Sequence, residues 1–357
     1  MGICLSSESL EKQQTHENIV YVVGDEDLYS SDIDGNEMRR LASLYSQQGK
    51  KGPNQDSAIL CQGFGMEEGV FCGVFDGHGR NGHSVSKLVR DYLPSLLLSQ
   101  RNAVLVADGG CIFTDGNDMS SVDGDDLTSS SPEMFDEWKE ACISAFRAMD
   151  KELKLHSDLD CTYSGSTAVT IIKQGKDLII SNLGDSRAIL GTISEEGNLK
   201  TIQLTTDLKP SLPQEAERIR KSNGRVFALR DEPNTQRVWL PNNNFPGLAM
   251  ARAFGDFQLK NYGVIAIPQV SYRQLTNRDQ FIVLATDGVW DVLSNEQVVS
   301  IVSSVQNKED ASKAIVKAAV SAWKRKFPSA RVDDCSAACL FLQERRRDVS
   351  LRTVKSS

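Results

Sequence analysis

Five aspartates stand at the ends of apolar runs. Asp76 follows GVF, Asp185 follows LIISNLG, Asp287 follows IVLAT, Asp56 precedes SAILC, and Asp333 comes shortly before CSAACLFL. A single strand-end Asp followed by Gly can be a turn former that bonds its own backbone. Five in one chain point further, because carboxylates gathered at one edge of a fold repel one another unless cations neutralise them. Hard cations such as Mg2+ and Mn2+ suit that task, taking a few carboxylate or carbonyl ligands and keeping several waters. Two such ions about 4 Å apart share one water, lower its pKa and clamp a phosphoryl group. His78 lies two residues after Asp76. A lone His in a glycine turn is ordinarily a surface residue, but beside a metal centre an imidazole titrating near neutrality can protonate a leaving oxygen.

Composition narrows the classes. The chain has 357 residues, 40% of them hydrophobic, enough for one large domain or two small ones. A net charge of −8 argues against nucleic acid as a partner, since phosphate-backbone binding needs a basic excess. The eight cysteines form no C-x-x-C pair, and those in apolar runs, such as Cys72 and Cys339, read as small buried hydrophobes. No secretory signal or membrane-length apolar run is visible, so an intracellular, reducing setting is expected.

Residues 1–40 are polar and weakly patterned, and read as a flexible tail. From Leu41 short strand-like runs alternate with Gly, Pro and Asn turns. A helix is predicted over 83–99 with Val85, Leu88, Val89, Tyr92 and Leu96 on one stripe. Between Arg101 and Lys139 lie nine acidic residues and no Lys or Arg, which reads as an acidic loop insertion at about 102–133. Its DGNDMSSVDGDD lacks the sixth-position glycine and the closing glutamate of a calcium loop. Helices follow at 132–156, 213–222, 295–305 and 309–326, the last facing inward with Ala311, Ala314, Ile315, Ala318, Ala322 and Trp323. STAVTIIK, DLIISNLG, SRAILGTI and LKTIQLT form an antiparallel meander, and residues 232–247 read as a Pro/Asn-rich loop. Trp239 in that loop either docks a partner or packs under its own segment, and packing is preferred. Strands in runs with helices grouped between them indicate α+β rather than alternating βαβ.

VFDGHG (74–79), SGSTAV (164–169), NLGDSRAIL (182–190), LAMARAFGD (248–256), LATDGVWDVL (284–293) and DDCSAACLFL (333–342) occur in the order seen in type-2C metal-dependent serine/threonine protein phosphatases. The chain resembles that family, and its plant branch most, over residues 41–343. The resemblance implies a four-layer α-β-β-α sandwich of two mainly antiparallel sheets flanked by helices. It implies Asp76 bridging two Mg2+ or Mn2+ ions, with the Gly77 carbonyl and Asp56 (partly through water) on one side and Asp287 and Asp333 on the other. A weaker third ion maps to Asp185, Asp287 and Asp291. Activated water then attacks phosphorus in line without a phospho-enzyme, and His78 is the acid for the seryl or threonyl oxygen. Residues 208–247 correspond to the flap that frames the substrate cleft.

Two positions depart from the family pattern. Lys51 stands where many members carry a phosphate-binding Arg, keeping the charge but losing the bidentate fork. Gln55 replaces a Glu before Asp56, removing a charge near one ion. These substitutions favour, as the alternative, a catalytically weak pseudophosphatase that binds a phosphoprotein or kinase. A small-molecule phosphohydrolase with a nucleophilic Asp is disfavoured, because FDGHG has no second Asp at the D-x-D offset.

The ends carry separate signals. Met-Gly-Ile-Cys-Leu-Ser fits N-myristoylation at Gly2 and S-palmitoylation at Cys4. One acyl chain holds a protein only marginally, so Cys4 would supply the second anchor. The expected location is the cytoplasmic face of a membrane, the plasma membrane first, with a cytosolic or nuclear pool. The basic C-terminal tail, 344–357, reads as solvated or as attracted to an anionic leaflet. A monomer acting on phosphorylated proteins or kinases is expected.

Overall fold

The computed structural model describes residues 13–15, 18–23, 42–107, 131–329 and 331–343. The acylation candidates Gly2 and Cys4, residues 108–130 of the acidic insertion, and the basic tail 344–357 lie outside the described residues.

The first sheet is built from β1 (Gln13–Thr15), β2 (Asn18–Val23), β4 (Asp56–Gln62), β5 (Val70–His78), β7 (Ala168–Gln174), β8 (Asp177–Leu183) and β15 (Gln269–Gln274), in the order β1-β2-β4-β5-β7-β8-β15. Two short strands, β6 (Gly165–Ser166) and β14 (Phe254–Gly255), extend it beyond the end of β5. The second sheet runs β10 (Leu199–Gln203), β9 (Arg187–Ile193), β16 (Asp279–Ala285), β17 (Cys335–Phe341) and β3 (Ala42–Gln47). Every pairing in the two sheets is antiparallel except β2 with β4. That parallel strand, with β1, falls in the stretch read from sequence as a tail. The strand's own residues, NIVYVV, form a short β-favouring run that the polar stretches on both sides obscure.

The layering follows from strand alternation. In β4 and β5, Ile59, Cys61, Phe71 and Phe75 point to one side and pack beneath α1 (Gly82–Ala107) and α2 (Ser131–Leu155). Ala58, Leu60, Cys72 and Val74 point to the other side, where they meet Ala188, Leu190, Ile282, Leu284, Ala338 and Leu340 of the second sheet. The outward side chains of β16 and β17, including Val283 and Cys339, pack under α6 (Asn295–Ser304) and α7 (Ala311–Lys326). These central strands are covered on both faces, so they read as unbroken apolar runs. The result is the expected α-β-β-α sandwich. Six described cysteines are buried. Among the described residues no helix is long and apolar enough to cross a membrane.

Two helix faces differ from expectation. In α1 the buried stripe is Val85, Val89, Leu93 and Leu97, while Tyr92 is 49% exposed. In α7 the stripe is centred on Ile315, Val316 and Ala319, which leaves Ala314 and Ala318 at its flank. In α7 the face is rotated toward the larger Val316, where more area leaves water, and in α1 it is rotated away from the amphipathic Tyr92.

Residues 232–247 are not a plain loop. They contain β12 (Gln236–Trp239), which joins β11 (Arg225–Ala228) and β13 (Pro246–Leu248) in a third, three-stranded sheet. With α3 (Pro213–Lys221) this forms a small unit around Ile219, Val238 and Leu248. Trp239 is buried there, its ring stacked on Phe227 at 5.0 Å and its Nε1 donating to the Phe227 carbonyl at 3.0 Å. It packs within its own segment.

Candidate active site

The ends of the central strands of both sheets converge at one edge of the sandwich. Asp56 opens β4 and sits in register directly opposite Asp76 of β5. Asp185 occupies the turn between β8 and β9, and Asp287 begins the one-turn helix α5 (Asp287–Trp290) right after β16. Asp333 immediately precedes Asp334 and β17. Residues scattered over almost 280 positions are thus gathered by ordinary strand pairing.

Backbone ties fix the two inner acids. Thr167 accepts from the Asp76 amide at 3.0 Å through its hydroxyl and donates its own amide to the Asp76 carbonyl at 2.9 Å. Its hydroxyl also meets Ser186 Oγ at 2.8 Å, which joins the SGSTAV and GDSR segments behind Asp76. Thr286 donates to Asp56 Oδ2 at 2.9 Å and so bridges the two sheets. The Gly77 amide donates to the Gln55 carbonyl at 3.0 Å, and a Cβ on Gly77 would sit 2.2 Å from the Gly82 carbonyl oxygen. Only glycine lets the chain pass here with its carbonyl beside Asp76. Gln55, uncharged where a Glu is expected, spans the turn, donating to the Gly79 carbonyl at 2.7 Å.

The electrostatics match a cation site. Burial, reinforced by Asp287 and then Asp56, pushes the Asp76 carboxyl well above its ordinary range. Burial and the charges of Asp185, Asp291 and Asp333 do the same to Asp287, which shares a hydrogen bond with Asp76. Asp56 is pushed up to about 8 by burial and by Asp334. Asp185 and Asp291 are also raised, chiefly by burial, though Lys209 opposes this. Asp185 Oδ1 is buried without a hydrogen-bond partner. An acid pool with an orphaned oxygen suits a hard cation. Among the described residues no three His, Cys, Asp or Glu side chains converge closely enough to hold an ion alone. Lys51 is ion-paired with Asp333, and Lys209 stands 3.6 Å from Asp185 Oδ2, so each lysine holds an outer carboxylate in its own direction.

His78 lies at the end of β5, partly buried, with Nε2 2.6 Å from Asp256 Oδ2. Burial lowers its pKa, but the Asp256 carboxylate more than reverses this and the net shift is upward. Asp256 adopts a left-handed conformation with φ 50° and hangs from the Ser164 carbonyl by its amide at 3.0 Å. Gly165 lies between them: a Cβ there would sit 2.4 Å from Asp256 Oδ2 and 2.7 Å from His78 Nε2.

The structure therefore collects Asp56, Asp76, Gly77, His78, Asp185, Asp287, Asp291, Asp333 and Lys51 in one region. Sequence reading missed Thr167, Lys209, Asp256, Thr286 and Asp334. Asp334 accepts from the Gly49 and Gln55 amides at 2.7 and 2.8 Å, which pins the segment bearing Lys51 to the start of β17. Asp256 and Asp334 both lie inside segments already singled out as motifs, so the signal was present without the partner.

Two stacked antiparallel sheets with a carboxylate pool at their joint edge, and an acid-paired histidine beside it, define the class of metal-dependent serine/threonine phosphatases. The family described as "Protein phosphatase 2C" matches residues 44–325, and the chain belongs to it. It is 58% identical over 358 residues to "Probable protein phosphatase 2C 12" of Oryza sativa subsp. japonica, covering 96% of this chain and 92% of that protein. It is 51% identical to "Probable protein phosphatase 2C 33" of Arabidopsis thaliana, covering 85% of this chain and 67% of that one. Among solved structures, a serine-threonine phosphatase 2C from Toxoplasma gondii superposes with a TM-score of 0.72 at 26% identity, covering 84% of this chain and 94% of that chain.

Proposed function

We propose that the chain hydrolyses phosphoserine and phosphothreonine in proteins through Mg2+ or Mn2+ held by Asp56, Asp76, the Gly77 carbonyl, Asp287 and Asp333, with a weaker third ion at Asp185, Asp287 and Asp291. The observation that carries this is the pool of buried acids whose pKa values rise through burial and one another's charge. When bound, the ions supply Lewis acidity that activates water and neutralises phosphate. Asp76, buried among Asp287, Asp56, Asp185 and Asp333, would be the residue shared by the two main positions. Lys51, about half exposed at the rim, turns from Asp333 toward the substrate phosphate as a point charge. His78 delivers the proton to the departing seryl or threonyl oxygen, with its ring held by Asp256.

The test uses two substrates. A phosphothreonyl peptide should be hydrolysed only with Mn2+ or Mg2+ present, and a chelator should stop it. His78→Gln should slow the peptide by about 10²-fold or more, the usual worth of general acid catalysis. An aryl phosphate with an acidic leaving group needs little protonation, and should be slowed far less. Equal losses on both substrates would remove His78 from the acid role.

The N-terminal reading is a proposal of its own. Acylation of Gly2, seconded by Cys4, would hold the protein, as a monomer, at the cytoplasmic face of a membrane, the plasma membrane first, where its phosphoprotein substrates reside. Gly2→Ala should move it from the membrane to the soluble fraction of its native cell. An intact-mass spectrum of the wild-type protein from that cell, without an acyl increment, would count against the anchor.

A further inference from the structure

We propose that Lys209 is a built-in counter-cation for the outer carboxylates Asp185 and Asp291, and that it competes with the third divalent ion for them. The inference rests on the metal reading above and adds to it a residue of this chain that limits occupancy of the third position.

Asp185 is almost fully buried, and its two oxygens differ. Oδ2 faces the Lys209 ammonium at 3.6 Å, while Oδ1 is buried without a hydrogen-bond partner. At 3.6 Å the contact is longer than a hydrogen bond, so charge alone holds it. Asp291, Asp287 and Asp207 face the same ammonium.

The root of this lysine is fixed although its tip is not. The neighbouring Leu208 amide donates to the Gly184 carbonyl at 2.8 Å, and the Leu208 carbonyl accepts from Ala251 at 2.8 Å. Asp207, on the other side of Leu208, is gripped by the Arg187 fork at 2.9 and 2.6 Å. Its carboxylate is thereby already paired, leaving Asp185 as the acid nearest to Lys209. The side chain of Lys209 remains 38% exposed, so its ammonium can swing into solvent.

A tethered monovalent charge is present at high effective concentration whatever the solution contains. A divalent ion entering at Asp185 and Asp291 must displace it or accept its repulsion. Lys209 thus keeps the outer acids partly neutralised when divalent ion is scarce, and makes the third position the weakest. Because Lys209 stands at the root of the 208–247 flap, filling that position also frees the flap's first tether to the acid pool.

The test is Mn2+ binding to the full chain, read as loss of the free-ion electron paramagnetic resonance signal at low ionic strength. Wild type should show a tighter class of sites and a weaker one. Lys209→Met should tighten the weaker class by about tenfold, the worth of one partly screened charge pair, and leave the tighter class unchanged. Lys209→Arg should behave as wild type, and Asp185→Asn should remove the weaker class. Lys209→Gln, closer in polarity, should tighten the weaker class as Lys209→Met does and serves if the latter misfolds. A weaker class unchanged or loosened in the uncharged variants overturns the inference. If Asp76→Asn binds Mn2+ as wild type does, the metal reading itself fails, which is a separate result.

Discussion

Asp76→Asn is expected to abolish Mn2+-dependent hydrolysis of a phosphothreonyl peptide, by about 10³-fold or more, while making the metal-free protein more stable. The two effects share one cause. Asp76 is surrounded by Asp287, Asp56, Asp185 and Asp333, and burial already disfavours its charged form. Asparagine has nearly the same shape, carries no charge, and can donate through its amide to the Asp287 carboxylate. In the absence of cations the exchange should therefore stabilise the fold, on the order of 2 kcal/mol. With Mn2+ the ranking reverses, because wild type gains the binding free energy of ions that the variant holds poorly. Urea unfolding with chelator and with Mn2+ would show the crossing. Comparable turnover, or an equal Mn2+ increment in both proteins, would remove Asp76 from the bridging position.

The same acids set a pH slope. Asp56 rises to about 8, and Asp76 and Asp287 rise well above the ordinary carboxyl value, mainly by burial. When the folded pKa exceeds the unfolded one, the folded state binds more protons, and stability falls as pH rises. The contribution is complete below about pH 4 and is lost between there and the folded value near 8. Metal-free protein should accordingly lose a few kcal/mol from these groups between about pH 5 and pH 8.5. Saturating Mn2+ keeps the carboxylates ionised and should flatten the slope. A metal-free protein that gains stability over that interval would contradict the crowding of these acids.

The acids were legible because of where they fall in the chain. An apolar strand that ends in a charge places that charge at a sheet edge, whatever its partners are. Asp56, Asp76 and Asp287 needed only that logic and a common edge. The residues that orient them were not legible, since each depends on a pairing between distant segments. Asp256 meets His78 across 178 positions, Thr286 meets Asp56 across 230, and Asp334 meets Gln55 across 279. No local period encodes such contacts. Lys209 was hidden differently: a lysine near Pro and Ser reads as solvated surface, and only the tether of Leu208 to Gly184 puts it against Asp185. The flap strands were missed because β11 has no fully buried position and β12 is buried only at Val238 and Trp239, so neither shows the apolar run that marks the central strands. Their stability comes from Trp239 stacking on Phe227 and from Gly247, whose positive φ and missing Cβ leave room for that indole.

Glu215→Ala should destabilise that flap unit by about 3–5 kcal/mol, as much as a large truncation in an apolar core. Glu215 is 3% exposed, yet it carries a charge at neutral pH. Burial opposes ionisation, but Arg252 and Arg218 overcome it, and the carboxyl ends below its ordinary range. Arg252 grips it through Nε at 3.0 Å and Nη2 at 2.6 Å, and Arg218 through Nη1 at 2.7 Å. The same guanidiniums tie down carbonyls elsewhere: Arg252 reaches Ile267 at 3.0 Å, and Arg218 reaches Gly263 and Ala251 at 2.8 Å each. One carboxylate thus orients two cations that fasten α3 to the segments on either side of β14. Removing it leaves two half-buried positive charges facing each other, and that repulsion adds to the three lost bonds. The apolar cluster beneath, including Ile219, Val238, Leu248 and Met250, is too small to absorb such a loss. Unfolding should therefore begin locally. Hydrogen exchange in α3 and β11–β13 should accelerate while the two main sheets keep their protection. Glu215→Gln keeps the shape and part of the hydrogen bonding, and should cost about half as much. Because the Ala251 carbonyl held by Arg218 and the Ala251 amide bonded to Leu208 belong to one residue, a loosened flap also loosens the footing of Lys209. A Glu215→Ala protein within about 1 kcal/mol of wild type, with unchanged exchange in the flap, would mean that the two arginines find other partners and that the carboxylate is not the unit's keystone.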